Sequence, residues 1–219
     1  TLIMAIAAPT EAPIWITIIQ AALFVVYGAR LSGFLLIREF KDIAFKKTEV
    51  FKETLTKGDK KMHIFVLATI WVFTSILYTL QVSPVFYRYA NGATDWVVPV
   101  IGFVVSIGGI VLEASADKQK SEQKAKNPRF VATEGLYKIV RCPNYLGEMI
   151  FWTGALVSGI GAVSGWQWII VAIGYVGIIF VMFSGAGRLE IRQNKNYGND
   201  PEYQKYVKSV PILLPFIPL

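Results

Sequence analysis

The sequence predicts an all-α fold, a polytopic bundle of five or more transmembrane helices. Three observations carry this expectation. Hydrophobic residues make up 54% of the chain and charged residues only 17%, well below the roughly 25% charged residues of a soluble domain. The mean hydropathy is +0.47. Apolar runs long enough to cross a bilayer recur along the chain, and residues 149–187 hold no charged side chain at all.

Each run can be justified in order. Residues 14–37 have Gln20 and Arg30 as their only strongly polar side chains. As a helix this stretch reaches ~36 Å, enough to cross a hydrocarbon core of ~30 Å with some tilt. Residues 64–80 form a second span and residues 96–112 a third. The uncharged run 149–187 is too long for one span and reads as two, hinged at Ala162-Val163-Ser164-Gly165. Upstream, residues 1–8 are largely apolar before Pro9 and Pro13, and read as the tail of a further helix.

Basic residues set the orientation. Segment 38–61 carries eight Lys or Arg, segment 118–141 carries seven and segment 188–208 carries five. Arg88 alone falls in a loop on the opposite side. The basic side, including the C-terminus, is expected to be cytoplasmic.

Other classes drop out. Cys142 is the only cysteine and His63 the only histidine, which leaves no disulfide scaffold, His-based zinc site or Ser-His-Asp triad. No metal is expected. The net charge of +7 lies in loops between apolar runs, so nucleic acid is not an expected partner. No Gly-rich phosphate loop follows a strand, and Gly102, Gly108 and Gly109 sit inside an apolar helix, where small residues serve packing.

Polar side chains at helix ends point to function, because an ionisable group in a bilayer must pair or line a cavity. In the first span Tyr27, Arg30, Phe34 and Arg38 share a face. Arg30 either snorkels to the interface or lines a cavity. The third span runs into Glu113, whose carboxylate costs energy among Ile110, Val111 and Leu112 unless it is paired. If that helix continues, Glu113, Asp117, Lys120 and Lys124 form one polar stripe. The densest cluster runs from Gly135 to Glu148. Pro143 suits the first turn of a helix, which places Asn144, Glu148 and Trp152 one turn apart on one face. Arg188 and Arg192 close the last span. These groups, with Arg141, all fall at cytoplasmic helix ends and could surround one anionic ligand, for which arginine is well suited.

The stretch Gly135-Leu136-Tyr137 through Arg141-Cys142-Pro143-Asn144-Tyr145-Leu146-Gly147-Glu148 resembles the membrane steroid 5-alpha-reductase superfamily. Bacterial members commonly show Arg-His-Pro-Asn-Tyr-Leu-Gly-Glu, with Cys142 here in the histidine's place. The tail Pro201-Glu202-Tyr203-Gln204-Lys205-Tyr206 and the closing Leu214-Pro215-Phe216-Ile217-Pro218 resemble the family's ending.

The resemblance implies a single membrane domain over residues 1–219. Helices in 14–80 would face a lipid substrate and residues 96–219 would bind the cofactor, NADPH. It implies that Asn144, Glu148 and Trp152 lie by the nicotinamide, with Glu113 and Asp117 nearby. Lys124, Arg141, Arg188 and Arg192 would hold the remainder of the cofactor. Tyr27, from a Tyr-x-x-Arg stretch, would be the proton donor to a substrate carbonyl, Glu148 a second catalytic residue, and Arg30 and Arg38 substrate-side contacts. The activity implied is NADPH-dependent reduction of a lipophilic conjugated enone, steroid-like or isoprenoid-like, in a bacterial inner membrane. Partners would be that lipophilic molecule and membrane lipids. Related prenylcysteine and phospholipid methyltransferases, which use S-adenosylmethionine, and a non-catalytic lipid-binding role are the alternatives.

Overall fold

The computed structural model describes residues 11–46, 64–127 and 130–215. Residues 1–8 and 47–61, the larger part of the basic segment 38–61, lie outside these, as do residues 216–218 and the side chain of Arg38. The elements are α1 (Ile14–Lys46), α2 (Ile64–Gln81), α3 (Ser83–Ala90), α4 (Val97–Lys126), a 3-10 turn (Gly135–Lys138), α5 (Pro143–Gly159), α6 (Gln167–Tyr197) and α7 (Pro201–Ser209). No strand occurs among the described residues.

The protein is an integral membrane helical bundle. α1, α2, α4 and α6 are each long and apolar enough to cross a bilayer. α5 has 17 residues, or ~26 Å, and packs inside the bundle. Large apolar side chains cover the outer surface, among them Phe65, Trp71, Val104, Val176 and Phe180. Such a continuous apolar exterior suits lipid contact. Exposed Trp96 and Trp166 sit at one end of the bundle, where indoles favour the membrane interface.

Two elements outrun their apolar segments. α4 continues past Leu112 to Lys126, and α6 past Gly187 to Tyr197. Both therefore project polar last turns beyond the membrane. The expected hinge is present as the turn between α5 and α6. α3, between α2 and α4, is a short helix with Pro84 in its first turn and Arg88 buried on it.

The antiparallel pair α4–α5 is the closest contact in the bundle. Gly102, Ser106 and Gly109 on α4 face Gly154, Ser158, Phe151 and Gly147 on α5. A Cβ at Gly147 would lie 2.7 Å from the backbone nitrogen of Glu113, so only glycine permits this approach. Ser106 Oγ donates to the Phe151 carbonyl at 2.9 Å, across the contact. Small residues of this kind let spanning helices gain dispersion energy where water supplies no driving force.

Polar ties fix the two ends. At the tryptophan end, Arg88 Nη1 donates to the Ser158 carbonyl (3.1 Å) and pairs with Asp95 (3.0 Å). Asn91 Nδ2 donates to the Ala162 carbonyl at 2.7 Å, pinning the α5–α6 turn. Gln20 of α1 reaches across the bundle to Ser158 Oγ at 2.6 Å. At the other end the chain after α7 folds back: the N–H groups of Arg141 and Cys142 donate to the carbonyls of Pro211 and Ile212, both at 2.9 Å. Leu213 is fully buried there.

The helix pair can be tested by adding volume. A Cβ at Gly109 would lie 2.6 Å from the Gly147 carbonyl oxygen, whereas one at Gly108 meets nothing within 4 Å. Gly109→Val should destabilise by about 1–3 kcal/mol or more and lower the melting temperature in detergent. Gly108→Ala should hold or raise it. A Gly109→Val protein that melts with the wild type would remove this contact from the argument.

Candidate functional site

The site is built on the first three turns of α5. Because Pro143 starts the helix, Asn144, Glu148 and Trp152 descend one face from the α4 tail end toward the middle of the bundle. Glu148 and Trp152 are buried. Tyr27 of α1, 3% exposed, stacks on Phe151 with ring centroids 4.0 Å apart and an interplanar angle of 12°. Its ring meets Trp152 edge-on at 5.7 Å. Phe24 of α1 stacks on Trp152 from another side at 5.9 Å, and Tyr78 of α2 approaches it at 5.7 Å. The result is an aromatic box in the bundle core.

Two polar atoms in this box are orphaned. The Tyr27 hydroxyl and the Trp152 indole N–H are buried with no partner at hydrogen-bonding geometry. Both are directed at the Glu148 carboxylate, with which they interact. Burying donors in this state is costly, and a box that holds them ready is suited to a ligand oxygen.

Arg30, one turn beyond Tyr27, turns inward. It pairs with Glu113 and, through Nη1, with Asp117 at 3.4 Å. This supplies the partner that a carboxylate beside Ile110–Leu112 requires. Glu113 and Asp117 are both buried, and Glu113 keeps one carboxylate oxygen without a partner. The three expected groups Arg30, Glu113 and Asp117 are thus brought together as one ionic cluster between Tyr27 and the polar end of α4.

Above this cluster an open cleft lies between the α4 tail, the 3-10 turn, α6 and α7. Lys120, Lys124, Arg141, Asn144, Arg192 and Tyr197 are among its walls. Lys124 lies over the Tyr197 ring at 5.7 Å. Arg141 is bound through Nη2 to Glu190 at 2.7 Å, yet its Nε and Nη1 are buried without partners. Four cations around one cleft, with unused guanidinium donors, fit a ligand that bears several phosphates.

The expected site residues therefore divide. Lys124, Arg141, Asn144 and Arg192 line the cleft; Tyr27, Glu148 and Trp152 form the box; Arg30, Glu113 and Asp117 join the two. Arg188 is exposed and off the cleft wall. Its neighbours Leu189, Arg192, Gln193 and Asn196 make the wall instead. Lys120 lies on the wall as the α4 stripe suggests, whereas Tyr78, Gln193, Asn196, Tyr197 and Tyr206 are not singled out as site residues by the sequence. Among the described residues no cluster of three His, Cys, Asp or Glu side chains is arranged to hold a metal ion.

The comparisons with known proteins fit this arrangement. The family model of DUF1295, described as a protein of unknown function, matches residues 2–210. The chain belongs to the DUF1295 family. It is 24% identical over 188 residues to the steroid 5-alpha-reductase DET2 of Arabidopsis thaliana, covering 83% of this chain and 67% of that protein. It is 25% identical over 181 residues to the 3-oxo-5-alpha-steroid 4-dehydrogenase 1 of Mus musculus, covering 78% and 64%. The chain thus spans about two thirds of the length of these relatives. The DUF1295 chain is a member of the steroid 5-alpha-reductase superfamily, in agreement with the resemblance at Gly135–Glu148. No solved structure matches it.

Within this DUF1295 chain, the histidine-to-cysteine departure sits at the junction of cleft and box. Cys142 caps α5 and is 2% exposed. Burial pushes its thiol up to about 11, against the pull of Lys120 and Arg141. Tyr137 and Tyr206 are likewise raised, chiefly by burial. They remain neutral donors, Tyr206 to the Tyr137 carbonyl at 2.7 Å and Tyr137 to the Ala116 carbonyl at 3.3 Å. A raised thiol is unreactive, because the thiolate is the nucleophile. A charged thiol reagent at mildly alkaline pH should leave Cys142 unmodified in the folded protein and label it fully in sodium dodecyl sulfate. Rapid labelling of the native protein would show that this corner is open.

Proposed function

We propose that the chain is an NADPH-dependent membrane reductase of a lipophilic conjugated enone, with a steroid-like ring system as the substrate class. The observation that carries this reading is the pair of orphaned donors, Tyr27 and Trp152, facing buried Glu148 directly beneath a cleft of four cations. The names of the relatives support it. The cations favour a phosphate-bearing cofactor over S-adenosylmethionine, which has a sulfonium and no phosphate.

In this reading Lys120, Lys124, Arg141 and Arg192 bind the phosphates, and Asn144 and Glu148 address the nicotinamide end. NADPH, when bound, supplies the hydride for the β-carbon of the conjugated alkene. The box of Phe24, Tyr27, Tyr78, Phe151 and Trp152 holds the flat enone and excludes water. Tyr27 directs its hydroxyl at the carbonyl oxygen, where negative charge develops. A neutral phenol does this without first desolvating a charge, and a fixed donor in a dry site is worth more than one in water. Arg30, held by Glu113 and Asp117, anchors α1 so that Tyr27 stays in place. By the distribution of basic residues, the cleft opens to the cytoplasm.

The reading is tested by mixing detergent-purified protein with NADPH and a 3-oxo-Δ4-steroid, and identifying the saturated ketone by mass spectrometry. Tyr27→Phe removes only a hydroxyl, so the protein should fold and bind NADPH while turnover falls about 10²- to 10⁴-fold. Full turnover by that variant would dismiss the proton-donor role.

The cleft gives a second expectation. Arg192→Ala should weaken NADPH binding about 10- to 100-fold, the worth of one charge-assisted contact of roughly 1.5–3 kcal/mol. Arg188→Ala, off the wall, should weaken it less. The opposite order in a calorimetric titration would place the phosphates on the other flank of α6.

A further inference from the structure

One polar side chain deep in the bundle has no role in the site described above. Gln81, the last residue of α2, is 4% exposed, and neither its amide nitrogen nor its amide oxygen has a hydrogen-bond partner. A buried amide in this state is a net loss to stability. Its backbone is not free to move it elsewhere. Gly174 of α6 packs on the α2–α3 joint so closely that a Cβ there would lie 2.7 Å from the Leu80 carbonyl carbon and 3.0 Å from the Gln81 nitrogen. Ser83 Oγ donates to the Leu80 carbonyl at 2.6 Å and holds the same joint.

The side chain lines a narrow cleft with Pro84, Trp152, Leu156, Val171 and Tyr175. No charged residue is among them. Tyr175 is already engaged, its hydroxyl 2.9 Å from Thr153 Oγ1. Trp152 is common to this cleft and to the aromatic box, so the two adjoin across one indole. Along α5, Leu156 lies two turns beyond Glu148, or about 12 Å. A fused-ring lipid with its carbonyl at Tyr27 would extend over a comparable length toward Gln81.

We propose that Gln81 binds a second, uncharged oxygen function of the substrate, a ketone or a hydroxyl, at the end opposite the carbonyl addressed by Tyr27. A primary amide both donates and accepts, so it suits either group. The absence of a lining cation argues against a carboxylate. The inference rests on the reductase reading above and deepens it: the substrate is a lipid with oxygen at both ends, not an enone with a plain hydrocarbon tail.

The test compares two enones that differ at the far end, 4-androstene-3,17-dione and cholest-4-en-3-one, each assayed with NADPH on wild type, Gln81→Met and Gln81→Leu. The ratio of kcat/KM for the dione over that for cholestenone should fall about 3- to 10-fold in both variants, the net worth of one hydrogen bond. Their melting temperatures in detergent should equal or exceed the wild type, since an orphaned amide is replaced by an apolar side chain. An unmoved ratio in stable variants overturns the proposal and leaves the reductase reading standing; Gln81 would then hold only a water. Wild-type turnover of cholestenone alone overturns it in the same way. Failure of both variants to fold also overturns it, because the amide would then be a structural partner. Wild type that reduces neither enone overturns the reductase reading itself, and this inference with it.

Discussion

The contact between α4 and α5 is the constraint on which the rest of the molecule depends. Gly102, Gly109, Gly147 and Gly154 bring two backbones together at a distance that no side chain would allow. In a membrane this approach is itself the source of stability, because lipid tails are as apolar as leucine and only packing distinguishes partner from solvent. The chemical consequence lies at the end of the contact. Glu113 and Glu148, on different helices, are held beside each other by the glycine at 147. Two carboxylates so placed in an apolar setting need a cation.

Arg30 answers that need, and in doing so it positions α1. A buried pair is a poor source of net stability, but removing one partner is expensive, about 3–5 kcal/mol. α1 is therefore tied at one level by Arg30 to Glu113 and Asp117, and at another by Gln20 to Ser158. Tyr27 lies between the two ties on the same helix. Its hydroxyl is held toward Glu148 without close hydrogen-bond geometry because the backbone that carries it is fixed from both sides, and its ring is clamped by Phe151. This explains how a fold tolerates an unspent donor in its core: neighbouring polar contacts supply the rigidity that the donor's own bond would otherwise give.

Much of this was legible in the sequence, for identifiable reasons. Pro143 as a helix start and a 3.6-residue period suffice to align Asn144, Glu148 and Trp152. The uncharged run could only be two helices with a turn near Gly161 and Gly165. The pairing of Arg30 with Glu113 was hidden, because nothing local links residues 83 positions apart, even though the unsatisfied Glu113 was visible. α3 was hidden as well, since eight residues beginning Ser-Pro show no clear period. The arginines of α6 show the limit of a face argument. Arg188 and Arg192 are one turn apart, but the cleft wall follows Leu189, Arg192, Gln193 and Asn196, whose centre is rotated away from Arg188. The helix period fixes which residues stand together, not which neighbours the helix turns toward.

The two halves of the site differ in how they are held, and this bears on what each can vary. The cofactor side rests on backbone contact: glycines between α4 and α5, and the returning tail that bonds to Arg141 and Cys142. A substitution there moves a helix. The box rests on side chains meeting side chains, Phe24 and Tyr27 from α1 and Tyr78 from α2 against Trp152. Any of these can change size or polarity while the helices stay where the ionic cluster and Gln20 put them. In the proposed reading, one frame can thus keep a single cofactor geometry and present different walls to a lipid substrate. On this argument the identity of the lipid is written on the inner faces of α1 and α2, in the residues that reach Trp152, and not in the motif that marks the family.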